Sequence, residues 1–89
     1  MSDTLDKKFK ALADKNRLKI LLDLKRGNKT AGKIAKQFSV SAPTISYHLS
    51  ILENSGLIFS WRVKGYIYYS IKFSEFDEII DWLKTIHKI

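Results

Sequence analysis

No cysteine occurs in the 89 residues, which excludes disulfides, thiolate metal ligands and thiol redox sensing together. Proline occurs once, at Pro43, so most breaks in the chain must come from glycine and small polar residues. No apolar run approaches the roughly eighteen residues that a membrane-spanning helix needs. The opening MSDTLDKKFK lacks the apolar centre of a signal peptide, and a cytoplasmic location is expected. Also missing are a glycine-rich phosphate loop, a nucleophile paired with a base, and a carboxylate pair that a pocket could isolate. Neither enzyme chemistry nor a cofactor is therefore expected.

Acidic residues are scarce as well, nine against sixteen lysines and arginines, for a net charge of +7. Their distribution says more than the total. Residues 15–72 hold eleven basic residues against only Asp23 and Glu53, whereas residues 73–89 carry a balance of −2. A positive field over one body suits a polyanionic partner, and a solvated lysine-rich surface is the bland alternative. A chain this short allows one small domain, 1–89, and an oligomer would bury apolar surface that it otherwise lacks.

Leu5, Phe9 and Leu12 recur at helical spacing and predict a first helix over about 4–13. Asp14-Lys15-Asn16 interrupts it. A second helix, about 17–25, is apolar through Leu18, Ile20, Leu21, Leu22 and Leu24, a stripe wide enough for contact from several sides. After Gly27-Asn28, Thr30 is placed to cap a third helix with Ala31, Ile34, Ala35 and Phe38 on one face. Ser41 is placed to cap a fourth. Pro43 lies in its first turn, where a missing N–H costs little, and Val40 and Ile45 have the spacing of a hydrophobic staple. Ile45, His48, Leu49 and Leu52 turn inward, and Asn54-Ser55-Gly56 ends the helix. Two short helices about such a turn, over about 30–54, form a helix-turn-helix.

From residue 57 the period changes. LIFSWRV and YIYYSIK, separated by Lys64-Gly65, predict a β-hairpin wing over about 57–72. Both strand faces carry apolar residues. The favoured arrangement turns Ile58, Ile67, Tyr69 and Ile71 inward and leaves Trp61, Tyr66 and Tyr68 more exposed. Ser74 is expected to cap a last helix over about 74–89, with Phe76, Ile79, Ile80, Leu83 and Ile86 as its stripe and Trp82 and Ile89 off it. A helix this apolar needs either the domain body or a second copy against it. The fold class expected is mainly α with a β-hairpin wing, a winged helix-turn-helix in the order α-α-α-α-β-β-α.

The outward face of the fourth helix carries Pro43, Ser46, Tyr47 and Ser50, with Ala42 and Thr44 near its entrance. No charged residue falls between Ser41 and Leu52. An ordinary solvated helix face would carry Lys, Glu or Arg. Short hydroxyls and methyls instead suit base edges in a major groove. Candidates for backbone contact are Lys15, Arg17, Thr30, Lys33, Ser41 and His48, with Arg62, Lys64 and Tyr66 at the wing tip. Each could equally be a solubilising charge or a structural cap.

ADKNRLKILLDL, TAGKIAKQF, SAPTISYHLSILENSGLI and GYIYYSI together resemble the ArsR family of bacterial transcriptional repressors, in particular its short, cysteine-free autorepressor-like members. The most specific part is S-x-x-T-I-S-x-H-L-x-x-L-x-x-x-G-L from Ser41 to Leu57. The resemblance implies a homodimeric repressor on a near-palindromic operator, with the fourth helices in successive major grooves. It also implies that the first and last helices pair across the two-fold axis through Leu5, Phe9, Phe76, Ile79, Ile80, Trp82, Leu83 and Ile86. Metal sensors of this family use a cysteine pair in the third helix, or Asp and His ligands along the last. Here the last helix offers Asp77, Asp81 and His87 without that spacing, so no metal is expected.

The rival reading is a protein-interaction module on a winged-helix scaffold, motivated by Trp61, Tyr66, Tyr68 and Trp82. The two could coexist, with a protein antagonist releasing the repressor from DNA.

Overall fold

The computed structural model describes residues 2–88. Four side chains start its helices by accepting backbone N–H bonds. Ser2 caps α1 (Asp3–Leu12), and Asp14 caps α2 (Lys15–Lys25) through the amides of Asn16 and Arg17. Thr30 caps α3 (Ala31–Phe38), and Ser41 caps α4 (Ala42–Asn54). Between α3 and α4, Ser39 adopts the left-handed conformation with φ 51° and sets the tight turn of the helix-turn-helix. Ile45 is buried and Val40 packs against the core, as the staple requires.

Strands β2 (Ile58–Val63) and β3 (Tyr66–Ile71) pair antiparallel, and Val63 faces Tyr66 across a two-residue loop. Both loop residues have positive φ, 48° at Lys64 and 83° at Gly65, the geometry that matches the twist of the strands. A short strand β1 (Lys29–Thr30) adds to the other edge of β3, giving the order β1-β3-β2. The expected two-stranded wing is thus three-stranded. Two residues between helices are too few for an alternation signal, and only the approach of β3 makes them a strand.

Alternation along the hairpin turns Ile58, Tyr69 and Ile71 toward the body, while Phe59, Trp61, Val63, Tyr66 and Tyr68 share the outer face. Ile67 has the inward parity but is exposed. It pairs with Arg62 near the tip, where the wing has left the body behind. Trp61 and Tyr68 are half-buried because they stack on each other across the strands at 5.9 Å.

The last helix also differs. Phe73–Phe76 form a 3₁₀ turn, and α5 (Asp77–His87) follows with no side-chain cap, so Ser74 is not its N-cap. Ile89 lies outside the described residues. Ile20, Ile34, Ile45, Leu49, Leu52, Leu57 and Ile58 form the fully buried centre of the core. Helix α2 is touched from several sides, by α1, α4 and β3, but Leu18 and Leu22 of its apolar stripe remain exposed. They border an apolar groove of about 440 Å³ with Leu12, Ile71, Phe73 and Phe76.

The first and last helices meet through Leu5, the Phe9–Trp82 edge-to-face pair at 5.1 Å, and Lys8, whose Nζ donates to Glu78 of α5 at 3.2 Å and to Glu75 of the preceding 3₁₀ turn at 3.0 Å. Burial disfavours the Lys8 ammonium, yet its bonds to Glu75 and Glu78 outweigh this and raise its pKa above the ordinary lysine value.

Candidate nucleic-acid interface

Helix α4 is anchored by Ile45, His48, Leu49 and Leu52, all buried. The opposite side is therefore fixed by the 3.6-residue period, and Ala42, Pro43, Thr44, Ser46, Tyr47 and Ser50 are all exposed on it. Tyr47 is the largest of them, at 61% exposure. Ser41 is exposed, but its hydroxyl accepts the Thr44 amide and lies 2.8 Å from the Thr44 hydroxyl, so capping already occupies it. The face is small, polar and uncharged.

Around it stand cations. Lys15, Lys33, Arg62 and Lys64 are exposed, as is Tyr66 at the wing tip. Thr30 is half-buried, and its hydroxyl accepts the Lys33 amide. Pairing of Thr30 with Tyr68 draws the start of α3 against the wing. The two enclose a groove of about 320 Å³ bordered by Thr30, Gly32, Lys33, Lys36, Tyr66 and Tyr68. Lys36 and Tyr68 were not among the expected contact residues. Lys36 lies one helical turn beyond Lys33 on α3, a local relation the sequence already held, whereas only the β1–β3 pairing brings Tyr68 to them.

Two expected backbone contacts are not at the surface. Arg17 is 9% exposed and His48 6%. The Arg17 guanidinium donates from Nε to the Ala11 carbonyl at 2.7 Å and from Nη2 to the Lys10 carbonyl at 3.1 Å. Its Nη1 meets His48 Nδ1 at 3.2 Å. The C-terminal carbonyls of α1 carry the negative end of the helix dipole and attract a cation, which is why the arginine turns inward, sharing the Lys10 carbonyl with the Ala13 amide. Lys29 is spent similarly, on the buried Asp23 carboxylate at 2.7 Å. Both charges still add to the positive field of the body, but neither is free to grip a phosphate.

The expected pairing surface also divides. Leu5 and Ile79 are buried in the domain's own core, and Phe9 and Phe76 are half-buried. Ile80, Trp82, Leu83 and Ile86 remain exposed along α5. Leu5 and Ile79 are consumed because α5 must first dock on α1, and only the rest of its apolar surface is left over. Among the described residues no group of three or more His, Cys, Asp and Glu could hold a metal ion. None of the described helices is long and apolar enough to cross a membrane.

The geometry has counterparts in known proteins. Residues 14–60 match the sequence profile described as "Bacterial regulatory protein, arsR family". The transcriptional repressor SdpR of Bacillus subtilis is 44% identical over 75 residues, covering 84% of this chain and 83% of SdpR. An ArsR-like transcriptional regulator from Rhodococcus superposes with a TM-score of 0.89 at 32% identity, covering 96% of this chain and 78% of that one. A homodimeric winged helix-turn-helix DNA-binding domain from Mycobacterium bovis does so with a TM-score of 0.79 at 27% identity, covering 97% and 80%. SdpR is named as a transcriptional repressor, the Rhodococcus protein as a transcriptional regulator and the Mycobacterium protein as a possible one. With its helix-turn-helix inside the matched segment and its wing and terminal helices superposing on theirs, this chain belongs to the ArsR family of bacterial regulatory proteins.

Proposed function

We propose that this protein is a homodimeric, sequence-specific DNA-binding repressor that occludes a near-palindromic operator in the cytoplasm. One observation carries the reading: an exposed α4 face of small polar residues without charge, set in a body with a balance of +9. A groove-filling helix needs short side chains to reach base edges, and cations around it to neutralise phosphates. Ala42, Pro43, Thr44, Ser46, Tyr47 and Ser50 read bases. Lys15, Lys33, Lys36, Arg62, Lys64 and Tyr66 contact the backbone, assisted by the helix starts at Thr30 and Ser41. Ile80, Trp82, Leu83 and Ile86, with Phe9 and Phe76 behind them, pair with a second copy. The two α4 helices then stand about one helical turn apart.

A protein antagonist is the second partner we propose, on the exposed outer wing face at Phe59, Val63 and Tyr66. A Phe59→Ser variant that is still released from its operator in lysates of inducing cells would remove the support for that site.

The test of the main reading is fluorescence anisotropy on a duplex enriched by the protein from a randomised pool, beside a scrambled duplex, between about 50 and 200 mM salt. Binding to the enriched duplex about a thousandfold tighter than to the scramble, with affinity falling steeply in salt, is the expected result. Equal weak binding to both would favour the protein-interaction reading.

A further inference from the structure

We propose that Arg17 and His48 form a positioning lock that sets the rotation of α4, and so decides which side chains meet the bases. This rests on the DNA-binding reading above. The apolar anchors Ile45, Leu49 and Leu52 hold α4 against the body, but apolar contact is not directional and resists small rotations weakly. A hydrogen bond is directional. A rotation of about 10° would carry an atom roughly 6 Å from the helix axis through about 1 Å, enough to lose a base contact.

Arginine can only donate, so the 3.2 Å contact requires His48 Nδ1 to be the acceptor, with the imidazole neutral and its proton on Nε2. The Asp14 carboxylate is 3.9 Å from the same nitrogen, beyond a hydrogen bond, and is occupied by the amides of Asn16 and Arg17. Arg17 itself is fixed by the Lys10 and Ala11 carbonyls at the end of α1. The frame of α1 and α2 is thereby tied to α4 at the residue next to Tyr47, whose ring lies edge-on to the His48 ring at 5.5 Å. His48 contacts no DNA in this arrangement. It acts through the setting of Tyr47, Ser46 and Ser50.

The test compares His48→Leu, which keeps bulk and loses the acceptor, with His48→Asn, whose Oδ1 can accept where Nδ1 does. The readout is the ratio of affinities for the enriched and scrambled duplexes, each measured on folded dimer. His48→Leu is expected to lower this ratio by at least about tenfold, leaving scramble affinity and salt slope unchanged, while His48→Asn retains it within about threefold. A general loss of stability would not select between duplexes. An unchanged ratio in His48→Leu, or an equal fall in both variants, overturns the lock. Should His48→Leu not fold, ¹⁵N NMR of the wild-type imidazole decides: a proton on Nε2 supports the lock, and one on Nδ1 overturns it. A wild-type protein without any preference between duplexes would instead sink the DNA-binding reading itself.

Discussion

Helices α4 and α5 are of similar length, thirteen and eleven residues, and each presents one face to the domain, yet they leave opposite surfaces to the outside. Helix α4 buries Ile45, His48, Leu49 and Leu52 and exposes hydroxyls, an alanine, a proline and a tyrosine, among a body rich in lysine. Helix α5 buries only Ile79 and exposes Ile80, Leu83 and Ile86, with Asp77, Glu78 and Asp81 nearby. One helix is finished on its inner side and offers a surface that water satisfies equally well. The other exposes apolar area that water does not satisfy. The two surfaces suit the two partners proposed above: a polyanion that gains from steering and shape, and a second copy that gains from burial.

The sharpest way to break this contrast is to charge the α5 surface. Leu83→Asp or Ile86→Asp is expected to convert dimer to monomer in sedimentation, because each is half or more exposed in the single chain and, in the proposed pairing, would be buried only against a second copy. Loss of the linked second half-site should then weaken operator binding by about a hundredfold or more. An unchanged dimer would place the pairing surface elsewhere, with the Leu18–Leu22–Phe73 groove the next to test.

The opposite intervention leaves the dimer alone. Tyr47→Ala and Ser46→Ala should each cost about 1–3 kcal/mol on the operator and almost nothing on the scramble, with sedimentation unaltered. Smaller still are the effects of Lys33→Ala and Arg62→Ala. Each should weaken both duplexes alike and reduce the slope of log affinity against log salt by about one. If either changed sequence choice, the division between base-reading helix and gripping cations would be wrong.

The smallest expected effect concerns the frame that carries both helices. The Arg17 amide, against a smaller cost from desolvation, holds the Asp14 carboxyl below its usual range, and the Lys8 hydrogen bond does the same for Glu75. Folded pKa values below the unfolded ones contribute stability that is complete above the unfolded carboxylate range and is lost as pH falls through the folded values. The melting temperature should therefore drop as pH falls below the ordinary carboxylate range. Asp14→Asn and Glu75→Gln should lower it at neutral pH and flatten that acid dependence. Both carboxylates are partly solvated, so the change should be modest.

The helix-turn-helix was legible in the sequence because its signals are local. A cap, a proline in the first turn, a staple and a 3.6-residue stripe each depend on a few neighbouring residues. Ser41, Pro43, Val40–Ile45 and Ile45–Leu52 accordingly occupy the expected places. The hairpin turn was legible for the same reason, since Lys64-Gly65 is a two-residue solution to a local twist. Less legible was everything set by what lies opposite. The parity of Ile67 is correct, yet its exposure depends on where the body ends. Ser74 has the chemistry of a cap, but the chain enters α5 through a 3₁₀ turn. Arg17 reads as one more surface cation until α1 presents it with the two carbonyls at its C-terminal end.

By itself, then, the sequence determined the five helices and the hairpin, the order in which they come, the uncharged face of α4 and the basic body around it. These follow from propensity, periodicity and composition, which act over a few residues or over the whole chain at once. The tertiary structure alone decided which cations stay free and which are absorbed, how β1 brings Tyr68 beside the start of α3, and which apolar residues of α5 are left over. Each of those depends on a contact between residues far apart in the chain, and no local pattern carries the distance between them.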